Sequence, residues 1–196
     1  MELEFERALE VAISKIKELL ESKSSVLVAI DGRCASGKST FAQALSKKLN
    51  ATLVHMDDFY LRFDQRTSER YSIPGGNVDY ERFLTEVLKP MSEGSQFLYA
   101  PFDCHSGIFK ETITVTPQKV CIAEGSYSCH PELYSYYDLH IFLDVDSNTQ
   151  IKRLLLREGE NKTRQFLERW IPLEEKYFTA FHIKQKSELY FLINEV

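Results

Sequence analysis

Eight consecutive residues, Gly32-Arg33-Cys34-Ala35-Ser36-Gly37-Lys38-Ser39, constrain this chain more than any other segment. They match the spacing G-x-x-x-x-G-K-[ST], in which glycines let the backbone wrap so closely that successive N–H groups point at one anion. The run before them, Ser25-Val26-Leu27-Val28-Ala29-Ile30, is apolar and β-branched and predicts a buried strand. After them, Phe41, Ala44, Leu45 and Leu49 recur at helical spacing. Strand, loop and helix in this order set the positive end of a helix dipole at the anion. Gly32, Ala35, Ser36, Gly37, Lys38, Ser39 and Thr40 are therefore the candidate phosphate-binding residues. Lys38 is placed to reach the β- and γ-phosphates of a nucleoside triphosphate, here ATP, and Ser39 to offer its hydroxyl to Mg²⁺.

The same alternation continues downstream. Thr52-Leu53-Val54-His55-Met56 runs into Asp57-Asp58, Val120-Cys121-Ile122-Ala123 into Glu124-Gly125, and His140-Ile141-Phe142-Leu143 into Asp144-Val145-Asp146. Tyr190-Phe191-Leu192-Ile193 predicts a last strand. Helical stretches are expected near 78–91, 148–158 and 163–170, and again after Pro172, which suits a first helical position. Strands alternating with helices predict an α/β fold: a three-layer P-loop NTPase with a parallel sheet flanked by helices and a helical lid. Residues 2–21 predict an amphipathic helix with Phe5, Leu9, Ala12, Ile16 and Leu19 on one face. The segments around Phe97 and Thr112–Thr116 lie either side of Pro101 and predict a small flap over about 96–116, outside the main sheet and above an acceptor pocket.

At 196 residues the chain is expected to be one domain, 1–196, with 43% hydrophobic and 27% charged residues. A net charge of −5 gives no basic field for nucleic acid. No apolar run is long enough for a membrane span, and no signal-peptide core follows the acidic N-terminus. The four cysteines, 34, 104, 121 and 129, have neither the density of a disulfide framework nor metal-ligand spacing, which suggests reduced thiols in a cytoplasmic protein. No interface motif stands out, so a homo-oligomer stays open.

A phosphate loop alone does not distinguish a kinase from a switch or a motor. Transfer to an alcohol needs a carboxylate near the acceptor hydroxyl and mobile cations for the migrating phosphoryl group. Asp57 or Asp58 supplies the carboxylate. Lys152, Arg153, Arg157, Lys162, Arg164 and Arg169 form a basic stretch broken at Glu158-Gly159-Glu160-Asn161, and Arg153 and Arg157 share one helical face. Helix, short polar loop and helix over about 153–170 describe a lid whose closure excludes water.

The ordered motifs DGRCASGKST, MDDFY, GGNVDYERF, PFDCHSGIFKETITV, IAEG and FLDVD resemble those of the uridine kinase/phosphoribulokinase group of P-loop kinases, from about residue 24 to the C-terminus. The resemblance implies that Asp57 is the base that orients and deprotonates the attacking hydroxyl and touches Mg²⁺ through water, that Glu124 holds metal-bound water, and that Arg153 and Arg157 are lid arginines. It also implies that Asp79, Asp103 and His105 contact the acceptor. Phe59, Tyr60, Phe63, Tyr71 and Tyr80 offer ring faces to a base or to the core, with Tyr60 assigned to the acceptor. Two departures stand out: His105-Ser106-Gly107 has glycine where the uridine-type segment carries arginine, and Asn77-Val78-Asp79 replaces the ribose segment. The implied activity is ATP- and Mg²⁺-dependent phosphorylation of a small molecule at the 5′-hydroxyl of a nucleoside. The alternatives are another primary alcohol (pantothenate, nicotinamide riboside or a sugar phosphate) and a regulatory NTPase without an acceptor.

Overall fold

In the computed structural model, which describes residues 2–194, a five-stranded sheet runs through the chain. The elements in order are α1 (Glu2–Leu20), β1 (Val26–Gly32), α2 (Lys38–Leu49), β2 (Thr52–His55), α3 (Ser68–Ser72), α4 (Tyr80–Phe83), a π turn (Leu84–Leu88) and α5 (Lys89–Ser92). Four short strands follow, β3 (Phe97–Tyr99), β4 (Phe102–Asp103), β5 (Ile108–Phe109) and β6 (Ile113–Val115). The remainder is β7 (Val120–Glu124), α6 (Pro131–Tyr134), β8 (Leu139–Asp144), α7 (Ser147–Gln165), a second π turn (Phe166–Trp170), α8 (Ile171–Phe181), α9 (Ile183–Lys186) and β9 (Leu189–Leu192).

The strand order is β2-β7-β1-β8-β9, and every pairing is parallel. A parallel sheet must be covered on both faces, so its strands read as continuous apolar runs. The period-2 alternation of β1 shows how. Val26, Val28 and Ile30 join a core with Leu9, Ala12 and Ile16 of α1 and Phe41 and Leu45 of α2. Leu27 and Ala29 face the other layer, with Phe83, Val87, Leu88, Leu133, Tyr177 and Phe178. These two cores are the outer interfaces of the expected three-layer fold. Phe5 meets Phe41 edge to face at 5.7 Å, which ties the start of α1 to the helix after the phosphate loop.

Phe97–Tyr99 pairs antiparallel with Ile113–Val115, and Phe102–Asp103 with Ile108–Phe109, both outside the main sheet. The expected break in the lid falls at Gly159, inside the polar stretch 158–161: its φ of 76° and ψ of 174° leave the helical region and divide Ser147–Gln165 into two helical segments, with one residue making the break in place of a longer loop. Thr163 Oγ1 donates to Gly159 O at 2.8 Å, and Lys162 pairs with Glu158, closing the chain around the break. Pro172 lies in the first turn of α8, as expected, but the helical path into it is continuous, directly after the π turn, as Pro90 lies after the first one. A proline lacks the N–H of an α-helical turn and clashes with the carbonyl four residues earlier; a turn widened to i→i+5 spacing accommodates both problems without ending the helix.

Candidate active site

The phosphate loop connects β1 to α2. Its start is fixed by a close approach: Gly32 has φ of 138°, and a Cβ there would lie 2.0 Å from Leu143 O of β8. The carboxylate of Asp31, the residue before it, is fully buried and accepts from Gly32 N, Tyr127 N, Cys129 N and Tyr177 Oη. Burial raises its pKa above the ordinary carboxylate value, against those hydrogen bonds. The sequence reading overlooked Asp31, although an acid in the last positions of an apolar strand is a legible signal. Ala35 adopts φ of 58°, unusual for a residue with a side chain. Lys38, 8% exposed, donates from Nζ to Gly32 O and Arg33 O at 2.9 and 2.8 Å. Ser36 Oγ is buried and has no hydrogen-bond partner among the described residues.

A cavity of about 540 Å³ opens over this loop. Ala35, Gly37, Lys38, Ser39 and Thr40 line it, and so do Asp57, Tyr60, His105, Glu124 and Arg157. The carboxyl ends of β2 and β7 deliver Asp57 and Glu124 to the same mouth. Burial raises the Asp57 pKa, and the nearby Lys38 charge opposes the rise. The hydroxyl of the partly buried Tyr60 bonds to Asp57 and is itself pushed well above the ordinary phenol value, chiefly by desolvation. Asp58 turns elsewhere: Tyr99 Oη donates to its Oδ2 at 3.1 Å, and Asp58 does not line the cavity.

Glu124 is 3% exposed and is held from two sides, by Ser39 Oγ at 3.4 Å and by His55 Nδ1 at 2.5 Å. That hydrogen bond is the first cause of a raised His55 pKa. One hydroxyl and two carboxylates, all hard oxygen donors, are the set that suits Mg²⁺ when substrate phosphates and water complete its shell. Among the described residues no three His, Cys, Asp or Glu side chains form a ready-made metal cage. Ser39 with Glu124 and Asp57 thus fits a metal brought in by a nucleotide.

Two further side chains reach the phosphate loop from α7, and one from α8. Gln150 Nε2 donates to Cys34 O and Arg153 Nη1 to Ala35 O, at 3.0 and 3.1 Å. From α8, Glu174 accepts from Cys34 N at 3.0 Å and from Ser126 Oγ at 2.6 Å, and it lines the cavity. Burial pushes the Glu174 pKa up; the Lys38 charge pulls it back. Glu174 was not singled out from sequence. Its signal was spacing: three and four residues before Tyr177 and Phe178, it sits on the apolar face of its helix. Burial pushes the Cys34 thiol far up as well, which leaves it a packed, unreactive group.

The remaining expected residues separate into two groups. His105 lines the cavity, and Asp79 and Asp103 do not. Asp79 caps α4, accepting from Arg82 N at 3.1 Å and from Gln65 Nε2 at 2.9 Å. Asp103 Oδ1 closes its own turn on His105 N at 2.8 Å. Their positions are taken in the cavity wall by Leu61, Arg66, Tyr71, Asn77 and Cys104. In the lid, Arg157 lines the cavity and pairs with Glu158 at 2.9 Å, whereas Arg153 reaches the back of the phosphate loop. Arg164 is exposed, and Arg169 stacks over Tyr71 and Trp170 at 4.9 and 4.7 Å.

This geometry accords with comparisons to known proteins. The chain is 30% identical over 152 residues to a uridine kinase of Clostridium botulinum (strain Kyoto / Type A2), covering 72% of this chain and 73% of that protein. A uridine kinase of Shewanella baltica (strain OS185) is 28% identical over 159 residues, covering 74% of each. In three dimensions it superposes on the "Structure of a Possible Uridine Kinase from Bacillus stearothermophilus" with a TM-score of 0.71 at 19% identity, over 97% of this chain and 100% of that one. The sequence profile of the Phosphoribulokinase / Uridine kinase family matches residues 27–186, and the chain belongs to that family of P-loop kinases.

Proposed function

We propose that this protein transfers the γ-phosphoryl group of ATP to a hydroxyl of a small molecule. The observation that carries the reading is the meeting of Lys38 and Asp57 in one cavity over the phosphate loop. Asp57 accepts the proton of the attacking hydroxyl, and the Tyr60 hydrogen bond fixes the orientation of its carboxylate. Lys38 leaves the loop carbonyls and neutralises charge that grows on the bridging oxygen as the bond breaks. Arg157 contributes from the lid, whose closure keeps water from the γ-phosphate. Ser39, with Glu124 and Asp57 acting through water, would hold Mg²⁺, which supplies charge neutralisation on the β- and γ-oxygens.

A nucleoside 5′-hydroxyl is the acceptor that the uridine kinase relatives support. A different primary alcohol is the second reading, favoured by the absence of Asp79 and Asp103 from the cavity lining among the described residues, each bonded to nearby N–H groups instead. The test is ADP release from Mg²⁺-ATP with and without a panel of alcohols. Acceptor-dependent release, reduced about 10²–10³-fold in a folded Lys38→Ala variant, is the expected result. Release that ignores every acceptor would favour a regulatory NTPase instead. The four free cysteines fit the reducing, cytoplasmic setting expected from the sequence.

A further inference from the structure

We propose that the acceptor carries an anionic group, a carboxylate or a phosphate monoester, and that Arg66 binds it. The proposal rests on the kinase reading and adds the class of substrate. Arg66 lines the cavity from the segment that follows Asp57, beside Tyr60 and Leu61. Its Nε donates to Leu61 O at 3.0 Å, and its guanidinium lies 4.5 Å above the Phe63 ring. Nη1 and Nη2 have no partner among the described residues. A planar cationic fork with both outer nitrogens unclaimed matches the paired oxygens of a carboxylate or phosphate.

The fork is held in place from below. Phe63 packs directly on Gly107, where a Cβ would come within 2.3 Å of the ring and where φ is 74°. Phe102 meets Phe63 edge to face at 6.3 Å. Gly107 thus admits the Phe63 ring, and the ring carries Arg66.

The other polar groups of the wall agree. A ribose diol needs hydrogen-bond acceptors, yet Asp79 and Asp103 are committed to their own turns and lie outside the cavity lining. The same cavity lining includes Asn77 and His105, and Asp57 serves the reacting hydroxyl. The remaining cations of the cavity have other commitments: Lys38 belongs to the phosphate loop, and Arg157 and Lys162 share Glu158. Arg66 is therefore available to a charge on the acceptor itself.

The test compares wild type, Arg66→Gln, Arg66→Lys and Phe63→Leu in acceptor-dependent ADP release. The acceptors are uridine and cytidine (neutral), glycerate (a hydroxycarboxylate) and ribose 5-phosphate (a phosphate monoester). The expected result is a preference for one of the anionic compounds of at least about tenfold in kcat/KM. Arg66→Gln should then raise the KM for that acceptor by about 10- to 100-fold, the range of a lost charge-assisted hydrogen bond, well beyond any fall in kcat. Arg66→Lys should recover part of the loss, and Phe63→Leu should show a smaller rise. Which anionic compound wins separates carboxylate from phosphate. A second readout does not need turnover. Trp170, the single tryptophan, lines the cavity. With the phosphate loop filled by AMP-PNP and Mg²⁺, titrated inorganic phosphate or acetate should change its fluorescence saturably in wild type and not in Arg66→Gln. Preference for a neutral nucleoside, an Arg66→Gln variant equal to wild type, or an unresponsive Trp170 in the loaded protein would each overturn the proposal. An Arg66-dependent Trp170 response with no acceptor-dependent ADP release would overturn the kinase reading alone.

Discussion

Replacing Glu174 tests whether α8 supports the phosphate loop. The carboxylate has two principal donors, Cys34 N at 3.0 Å and Ser126 Oγ at 2.6 Å, in a fully buried setting. They will not respond equally to its loss. Ser126 Oγ already lies 3.3 Å from Gly32 O and can donate there instead. The Cys34 amide has no such alternative, and an orphaned buried N–H costs about 1–3 kcal/mol. With the void left by the four heavy side-chain atoms beyond Cβ, Glu174→Ala should lose about 3 kcal/mol, which lowers the melting temperature by about 6–12 °C for a chain of this size. Glu174→Gln keeps one carbonyl oxygen for Cys34 N and should lose only about 1 kcal/mol. The pH dependence supplies a second sign. Burial raises Glu174 above its ordinary 4.5 and Asp31 above 3.8, so the folded state holds these protons more tightly than the unfolded chain. Their contribution is complete below the ordinary values and is lost as pH rises through the raised ones. Urea denaturation from about pH 5 to 8 should therefore show falling stability in wild type and a shallower fall in Glu174→Gln. Melting of Glu174→Ala within a degree of wild type, or an unchanged slope in Glu174→Gln, would refute the reasoning.

Three other outcomes are expected. Asp57→Asn should lower kcat by about 10²–10⁴-fold with ATP affinity nearly kept, whereas Asp58→Asn, whose side chain bonds Tyr99, should affect stability more than rate; steady-state kinetics beside thermal melts would expose a reversal. Arg157→Lys should lower kcat more than it raises the KM for ATP, because a lid residue acts mainly on the closed state, and Arg153→Lys should raise the KM for ATP through the loop carbonyl it holds; equal, small and salt-sensitive effects would mark both as solvated surface charge. Gly32→Ala should abolish soluble expression, since its Cβ would meet Leu143 O at 2.0 Å; a folded Gly32→Ala protein by circular dichroism would contradict the geometry.

The order of strands and helices and the position of the phosphate loop were legible because each depends on local periodicity and on glycine placement. Asp57 and Glu124 were legible for a related reason: they stand at strand ends, where a parallel sheet presents its ligand edge. What stayed hidden depends on long-range commitments of side chains. Asp79 and Asp103 carry the right chemistry, but a short carboxylate next to a turn is claimed by nearby N–H groups first. Glu174 reaches Cys34 across 140 residues, and no local pattern reports that bond. Arg66 reads as one more surface cation until Phe63 and Gly107 are seen beneath it. The break in the lid was legible in Glu158-Gly159-Glu160-Asn161, and its extent was not: a single glycine with positive φ makes it.

The π turn at Phe166–Trp170 sets the phase of everything after it. One additional residue in a helical path rotates the following side chains by about 100° about the axis. Upstream of it, the face of α7 that carries Gln150 and Arg153 is turned to the loop; downstream, the retuned phase points Glu174 at that same loop and seats Tyr177 in the core. A straight helix would hold residues 150 and 174 about 36 Å apart; the break at Gly159 turns the chain back, and the π turn then sets the angle at which Glu174 meets the same Cys34 backbone that Gln150 holds. Evolutionary change in this stretch is consequently restricted in length more than in identity: substituting Leu167 or Glu168 leaves the angle intact, whereas losing either swings Glu174 a quarter turn away from the loop it holds.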